Sequence, residues 1–483
     1  MLSIDRTMLY DWQLESVEEW WNNECEGIIQ GVTAAGKTRI AVQLIKEYLE
    51  LHIDATVTIL VPSNALVDQW KSVLEEWGGT DIGRWNGVHK EMNRITVMSM
   101  ASAAIYLSDI DRGEYHFMIV DECHRAGAYR WRSGVEDCVK DAILGLSATV
   151  ERIDGFDVQT LCGEVIIDYM YDIALADETI CDFTIKAIEI NFLPEERIEY
   201  NRIVGEIEEL KQKLVRKHGP RNFMGRIQNQ IKSGRSCGLE IKYTAALTKR
   251  GMVINGATHR FACMDYIFGL YGNESKGMIF HHKISDLDII GDTELMRNPE
   301  RRLWQYHSAM TTKSRNDTLD EFMRSETGWL MSCKALAEGV SPDLHGQDPT
   351  IGVLLTGTLS VRQRIQTVGR LLRKGKEHAT LYILYVGNSR DTDSVTNLHD
   401  RGRMPIDKFE FHFWNPSSNC IEPMPIDMAP KFGEYVGLAG PNTRGSENRY
   451  GKSSSRSFDD IFGRVPDSFD EFLKGFIKES EAK

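Results

Sequence analysis

Gly31-Val32-Thr33-Ala34-Ala35-Gly36-Lys37-Thr38 sets four residues between two glycines and follows the second with a lysine and a hydroxyl residue. That pattern suits a loop whose backbone N–H groups wrap phosphates, with Lys37 reaching the β and γ oxygens and Thr38 ligating Mg2+. Gly31, Thr33, Ala34, Ala35 and Gly36 would line the cradle. Asp121-Glu122-Cys123-His124 follows the apolar run Phe117-Met118-Ile119-Val120. A carboxylate at the end of a buried strand is a second contact for the metal, so Asp121 takes that role and Glu122 orients or deprotonates an attacking water. Far downstream, Gln366-Thr367-Val368-Gly369-Arg370-Leu371-Leu372-Arg373 places Gln366, Arg370 and Arg373 on one helical face as planar donors to phosphate oxygens. The chemistry these three segments share is hydrolysis of a nucleoside triphosphate such as ATP. Taken singly, each segment also reads as a glycine turn, a strand-end turn or a pair of surface ion pairs.

These side chains need strands and helices to hold them. Gly27-Ile28-Ile29-Gln30 is short and apolar before the loop, and Arg39 to Leu49 carries Ile40, Leu44, Ile45 and Tyr48 at helical spacing after it. Residues 1 to about 185 alternate apolar strands with helical segments, as a parallel sheet flanked by helices requires. Residues from about 263 to 390 repeat that alternation and end in the strand Thr380 to Val386. The expected fold class is α/β, with two tandem lobes built on parallel sheets.

With the motifs in this order, the chain resembles superfamily 2 helicases with a DExH box. The resemblance runs over roughly residues 9 to 387 and implies two RecA-like lobes that close on ATP. Leu146-Ser147-Ala148-Thr149 resembles the motif linking hydrolysis to movement, so Ser147, Thr149 and His124 are expected to couple the two. Tyr10-Asp11-Trp12-Gln13 resembles the adenine-reading segment, with Gln13 at the base. Ile59 to Trp70 resembles the strand-loop-helix that grips a nucleic-acid backbone, and Ile95 to Met100 resembles its neighbour. In the second lobe, Gly277 to His281 and Trp329 to Cys333 read as buried strands, the latter feeding Ala337-Glu338-Gly339-Val340-Ser341-Pro342, where Gly339 is expected beside the nucleotide. Gln366, Arg370 and Arg373 match the family's arginine-finger motif. Within the superfamily the chain is most similar to phage branch-migration helicases of the UvsW type, with XPB-type repair helicases as a wider circle. The resemblance implies ATP and Mg2+ as cofactors, and single-stranded, forked or branched DNA as substrate in recombination, replication or repair. RNA unwinding, a motor subunit for a restriction or defence assembly, and a binding module with a vestigial loop are the competing readings.

The chain has 483 residues and a formal net charge of −14, an unpromising total for a phosphate-binding surface. Between Lys211 and Arg260, however, the sequence holds Lys211, Lys213, Arg216, Lys217, Arg221, Arg226, Lys232, Arg235, Lys242, Lys249, Arg250 and Arg260 against the single acid Glu240. Such a block attracts phosphate backbones. Its sparse aromatics, Phe223, Tyr243 and Phe261, argue against a base-stacking platform. Nine scattered cysteines form no C-x-x-C pair, so neither zinc nor a disulfide framework is expected. No apolar run approaches membrane-spanning length, and Met1 to Asp5 does not read as a secretion signal. A soluble protein is expected, cytoplasmic or in the host cytoplasm if viral.

The expected division is 1–185 as the ATP-binding lobe, 186–262 as a connector with a basic, partly helical insert, 263–390 as the second lobe, and 391–483 as a C-terminal extension. Gly440 to Ser457 reads as a flexible linker. Beyond it, Ser457-Phe458-Asp459-Asp460-Ile461-Phe462 is echoed by Ser468-Phe469-Asp470-Glu471-Phe472-Leu473. These are two capped amphipathic segments, suited to docking on their own lobe or to carrying a replication or repair protein as partner.

Overall fold

The computed structural model describes residues 2–107, 115–152, 156–219, 223–234, 238–333, 349–356, 369, 371–372, 376, 378–400, 403–425 and 427–431. Arg221, Arg235, Gly339, Gln366, Arg370 and Arg373 lie outside the described residues, as do both repeated segments of the C-terminal extension. The chain divides into two compact units. The first runs to Asp182 and includes the described residues between 365 and 377, and the second holds the remainder.

The first unit is built on seven strands: β1 (Glu26–Gly31), β2 (Thr56–Val61), β3 (Ile82–Trp85), β4 (Ile95–Ser99), β5 (His116–Asp121), β6 (Ala142–Ser147) and β7 (Val165–Tyr169). Their order is β3-β4-β2-β5-β6-β1-β7, with parallel pairing throughout. The central strands are buried on both faces, which is why they read as near-continuous apolar runs. The register matters most for function. Asp121 at the end of β5 pairs with Leu146 of β6, while Gln30 of β1 pairs with Ser147, so the carboxyl ends of these three strands form one edge. That edge is where open α/β sheets bind ligands.

Lys37–Leu51 forms the helix after the loop and buries Ile40, Leu44, Ile45 and Tyr48 as its spacing predicts. Tyr48 and Trp20 meet Phe117 of β5 with ring centroids 5.1 and 4.9 Å away, which fixes this helix to the sheet. The helix Asn64–Glu76 is capped by Ser63, whose hydroxyl accepts the Leu66 N–H at 3.4 Å, and it buries Val67, Trp70 and Leu74 along one stripe.

The second unit contains β8 (Asp182–Ile190), β9 (Lys276–His281), β10 (Leu303–His307), β11 (Gly328–Cys333), β12 (Ile351–Leu354), β13 (His378–Val386), β14 (Phe409–Asn415) and β15 (Cys420–Pro423). Its sheet runs β10-β11-β9-β12-β13-β8-β14-β15, mostly parallel, with an antiparallel β14–β15 edge. The sheet is thus wider than 263–390. It recruits β8 from across the expected boundary at 185 and β14 and β15 from the extension, with Phe409 in register with Ile185 and Phe411 with Ala187. The half-buried alternation of β8 and the aromatic alternation of β14 are ordinary edge-side patterns, and lobe limits drawn from motif ends pass over them.

The basic insert folds as three helices, Pro194–His218, Phe223–Lys232 and Leu239–Asn255, with a core of their own made by Ile203, Ile207, Leu210, Leu214, Ile227, Tyr243 and Leu247. The longest opens with Pro194, Glu195 and Glu196 and closes with Arg216, Lys217 and His218, each end matched to the helix dipole. Phe223 packs edge-on against Tyr243 at 5.7 Å, so these aromatics are core. Arg260 leaves the basic block altogether. It is buried in the second unit, where Nε donates to Ile254 O at 3.1 Å, Nη1 to the carbonyls of Leu384 and Leu355, and Nη2 to the Asp391 carboxylate.

Candidate active site

The phosphate loop is shaped by backbone that few residues adopt. Ala34 (φ 74°) and Gly36 (φ 89°) both lie in the left-handed region, and at Gly36 a Cβ would sit 2.6 Å from the Gln13 side-chain nitrogen. A non-glycine residue held there is strain of the kind retained at binding loops. Gln13 is buried and braces the loop: Nε2 donates to Ala35 O at 3.1 Å and Gly36 O at 3.2 Å, while Oε1 accepts the Tyr10 N–H at 3.0 Å. The residue expected at the base therefore also fixes the loop's own carbonyls. Lys37 Nζ folds back onto Gly31 O at 2.6 Å and Val32 O at 3.1 Å. Burial lowers its pKa, and the carboxylates of Glu122 and Asp121 oppose that shift. Gly369 approaches Thr33 so closely that no Cβ fits between them.

On the facing strand ends, Asp121 Oδ2 accepts the Trp70 indole N–H at 2.8 Å and Oδ1 accepts the Glu122 N–H at 2.9 Å. Burial, and then the neighbouring Glu122 charge, push the Asp121 carboxyl up to about 6, with the Trp70 hydrogen bond pulling the other way. Glu122 itself turns through φ 51°, again left-handed, which turns the chain from β5 into the short helix Cys123–Ala126. His124 Nδ1 lies 3.3 Å from Glu122 Oε2 and 2.9 Å from Ser147 Oγ. Ser147 Oγ donates to Thr149 O at 2.5 Å, so its one proton is spent there and His124 must carry the proton on Nδ1. Thr149 N–H returns to Ser147 Oγ at 3.2 Å. His124, Ser147 and Thr149 thus form one connected polar chain, with the Glu122 carboxylate 3.3 Å from its imidazole end.

The structure brings Gln13, the loop residues Gly31 to Thr38, Asp121, Glu122, His124, Ser147 and Thr149 to one unit. Three contributors do not stand out in the sequence. Trp70 holds Asp121, Gln30 joins Asp168 (2.8 Å) to the Val150 N–H (2.9 Å), and Arg152 donates to the His124 carbonyl. The Gln69-Trp70 ending of the backbone-gripping segment was the available signal for the first. The basic block belongs to the second unit, and not all of it is available to phosphate. Lys217 and His218 bind the buried Glu240 at 2.7 and 2.8 Å, Arg226 donates to His218 O, and Lys211 sits 3.7 Å from Glu208. Lys213 and Arg216 are exposed and have no ion pair among the described residues. Lys232 ends the helix Phe223–Lys232.

Known proteins share sequence and fold with this chain. Residues 6–152 match the family model of the res subunit of Type III restriction enzymes, and residues 259–375 match the helicase conserved C-terminal domain. The chain is 24% identical over 392 residues to the DNA 3'-5' translocase XPB2 of Sulfurisphaera tokodaii, across 80% of this chain and 83% of that one. Among solved structures, it is similar to the ATP-dependent Type ISP restriction-modification enzyme LlaBIII bound to DNA, with 14% identity, a TM-score of 0.52, and coverage of 84% of this chain but 31% of that one. A fragment of a putative HsdR subunit of a type I restriction enzyme from Vibrio vulnificus YJ016 gives 17% identity, a TM-score of 0.51, and coverage of 83% and 67%. The chain thus spans under a third of the first of these structures, and at such identities the likeness is one of fold.

Proposed function

The chain is a superfamily 2 helicase that hydrolyses ATP, and from that premise we propose that it is a DNA translocase that acts on forked or branched DNA in recombination, replication or repair. The observation that carries the ATP side is the shared strand-end edge of β1, β5 and β6, which sets the phosphate loop, the Asp121–Glu122 pair and Ser147 along one line. When the triphosphate binds, Lys37 exchanges its two loop carbonyls for β and γ oxygens, and the backbone from Gly31 to Gly36 wraps the phosphates. Mg2+ would be held by Thr38 and Asp121, and would supply positive charge to the triphosphate there. The donor set fits it: Thr38 and Asp121 offer the one or two protein oxygens Mg2+ takes when phosphates and water supply the rest, and burial and the neighbouring Glu122 charge leave Asp121 in need of a cation. Glu122 orients the attacking water. His124, Ser147 and Thr149 would transmit the change toward the segment Ile59 to Trp70, which would grip the nucleic-acid backbone.

Gln366, Arg370, Arg373 and Gly339 complete this reading in the roles the family resemblance gives them. The close approach of Gly369 to Thr33 supports a place for that motif at the phosphate loop. The name of the Sulfurisphaera tokodaii relative supports DNA as the track. Lys211, Lys213, Arg216, Lys217, Arg221, Arg226, Lys232 and Arg235 form the surface proposed for backbone contacts, with Lys213 and Arg216 foremost because neither has a carboxylate partner among the described residues. A second reading, the motor of a restriction assembly, is favoured by the restriction-enzyme family model over 6–152.

ATPase stimulation by single strands, linear duplex, forks, four-way junctions and RNA tests the proposal. Strongest stimulation by forks and junctions supports it. A preference for long linear duplex favours the restriction motor, and stimulation by RNA alone overturns the DNA assignment.

A further inference from the structure

We propose that Trp70 is a positioning residue for the metal-binding carboxylate and makes the nucleotide site sensitive to the helix that grips the nucleic acid. The inference rests on the assignment of Asp121 to the metal. Trp70 is buried two turns into Asn64–Glu76, and its indole N–H reaches Asp121 Oδ2 at 2.8 Å. An indole nitrogen can only donate, so this contact recognises the carboxylate oxygen and never competes with it for a cation. The Glu122 N–H occupies one lone pair of Oδ1 at 2.9 Å. With one donor on each oxygen, the carboxylate plane is fixed, and each oxygen keeps a lone pair for the metal or a metal-bound water. Outer partners of this kind orient a metal ligand, and losing one costs about 10- to 100-fold in metal affinity.

The helix gives the contact its second consequence. Its N-terminus is Ser63-Asn64, directly after β2, where the backbone-gripping loop is expected, and Ser63 caps it. A helix is stiff over two turns, so a shift of the capped end on nucleic-acid binding moves the indole at Trp70 and with it the plane of Asp121. Trp70 therefore provides a path of one helix and one hydrogen bond from the nucleic-acid side to the metal side. It runs alongside the His124–Ser147–Thr149 chain and does not depend on it.

The test is Trp70→Phe, which keeps an aromatic ring in the core and removes the N–H together with the pyrrole part of the indole, read by equilibrium binding of a fluorescent ADP analogue across a Mg2+ titration, with and without single-stranded DNA. The expected result is a Mg2+ requirement raised by about 10-fold or more, in the range found when outer-shell partners are lost. Nucleotide affinity without Mg2+ should be unchanged, and the effect of DNA on the Mg2+ midpoint should be lost. Trp70→His retains a ring N–H and should recover much of the midpoint, which also separates the hydrogen bond from any packing defect. An unchanged midpoint in Trp70→Phe, or equal losses in both variants, overturns the proposal. Lys37→Ala in the same assay is the control for the underlying assignment: if it binds the analogue as the native protein does, the site itself is misplaced, whatever Trp70 does.

Discussion

The strand-end edge of the first unit and the buried Arg260–Asp391 cluster of the second both concentrate charge, and they resolve it in opposite ways. Arg260 spends its guanidinium on three carbonyls and a carboxylate, and Asp391 Oδ2 also accepts the Val386 N–H at 2.9 Å, so the charge is answered within the fold. At the edge, two adjacent carboxylates share the field of a lysine held only by loop carbonyls, and Asp121 is pushed up toward neutrality. The first arrangement is complete; the second is the one the proposed nucleotide and metal would complete. What separates a structural charge from a functional one here is whether the chain itself has already answered it.

The largest break in that comparison is expected at Glu122. Glu122→Gln should lower ATP turnover by roughly 10²- to 10⁴-fold, the range for losing a positioned base. Nucleotide binding should persist, because the loop and Asp121 remain. Steady-state hydrolysis and analogue binding on the same preparation check both halves, and near-native turnover removes Glu122 from the assignment. Arg260→Met should do the reverse. Removing one partner of a buried ion pair strands the other, at about 3–5 kcal/mol. Urea unfolding should show that loss, whereas Lys37→Met in the same experiment should show little or none, because among the described residues Lys37 donates to loop carbonyls and to no carboxylate.

The motif residues were legible because each lies in a contiguous stretch whose spacing carries its own geometry, as in Gly31 to Thr38 or Asp121 to His124. The helix 37–51 and β5 follow from short-range pattern in the same way. Arg260 was not legible: in sequence it closes a basic run, and its fate is set by Asp391, 131 positions away, and by carbonyls of β13 and of Leu355. Trp70 and Asp121 are 51 positions apart, and only the parallel register of the first sheet makes them neighbours. The extra strands β8 and β14 were missed for a related reason, since they pair with each other more than two hundred residues apart and leave no local trace, and β15 joins the sheet only through its hairpin with β14.

A smaller effect tests the unanswered charge directly. The Asp121 carboxyl has an ordinary value of 3.8 and stands near 6 in the nucleotide-free fold, so the folded state holds the proton longer than the unfolded chain does. Stability from the protonated form is therefore complete below the unfolded value and is lost as pH rises through about 6. Asp121→Asn lacks this dependence. Without nucleotide it should be more stable than the native protein at pH 7 by on the order of 1–3 kcal/mol. The gap should close by pH 4, and denaturation at the two pH values measures it. With Mg2+ and nucleotide the order should invert, because the native carboxylate then has its cation.

The smallest expected effects carry the comparison onto the insert, where the same block of basic residues contains both kinds of charge. Lys217 is committed to the buried Glu240, and Lys213 and Arg216 are not. Lys213→Ala and Arg216→Ala should each reduce the slope of log affinity for DNA against log salt by about 1, the signature of one lost phosphate contact, and do so equally for every sequence. Lys217→Ala should leave the slope nearly unchanged and appear instead as a loss of stability, because Glu240 is buried beneath it. If all three lower the slope alike, commitment to a carboxylate does not remove a lysine from the phosphate surface. The rule drawn from Arg260 and the strand-end edge would then hold only for charges inside the core.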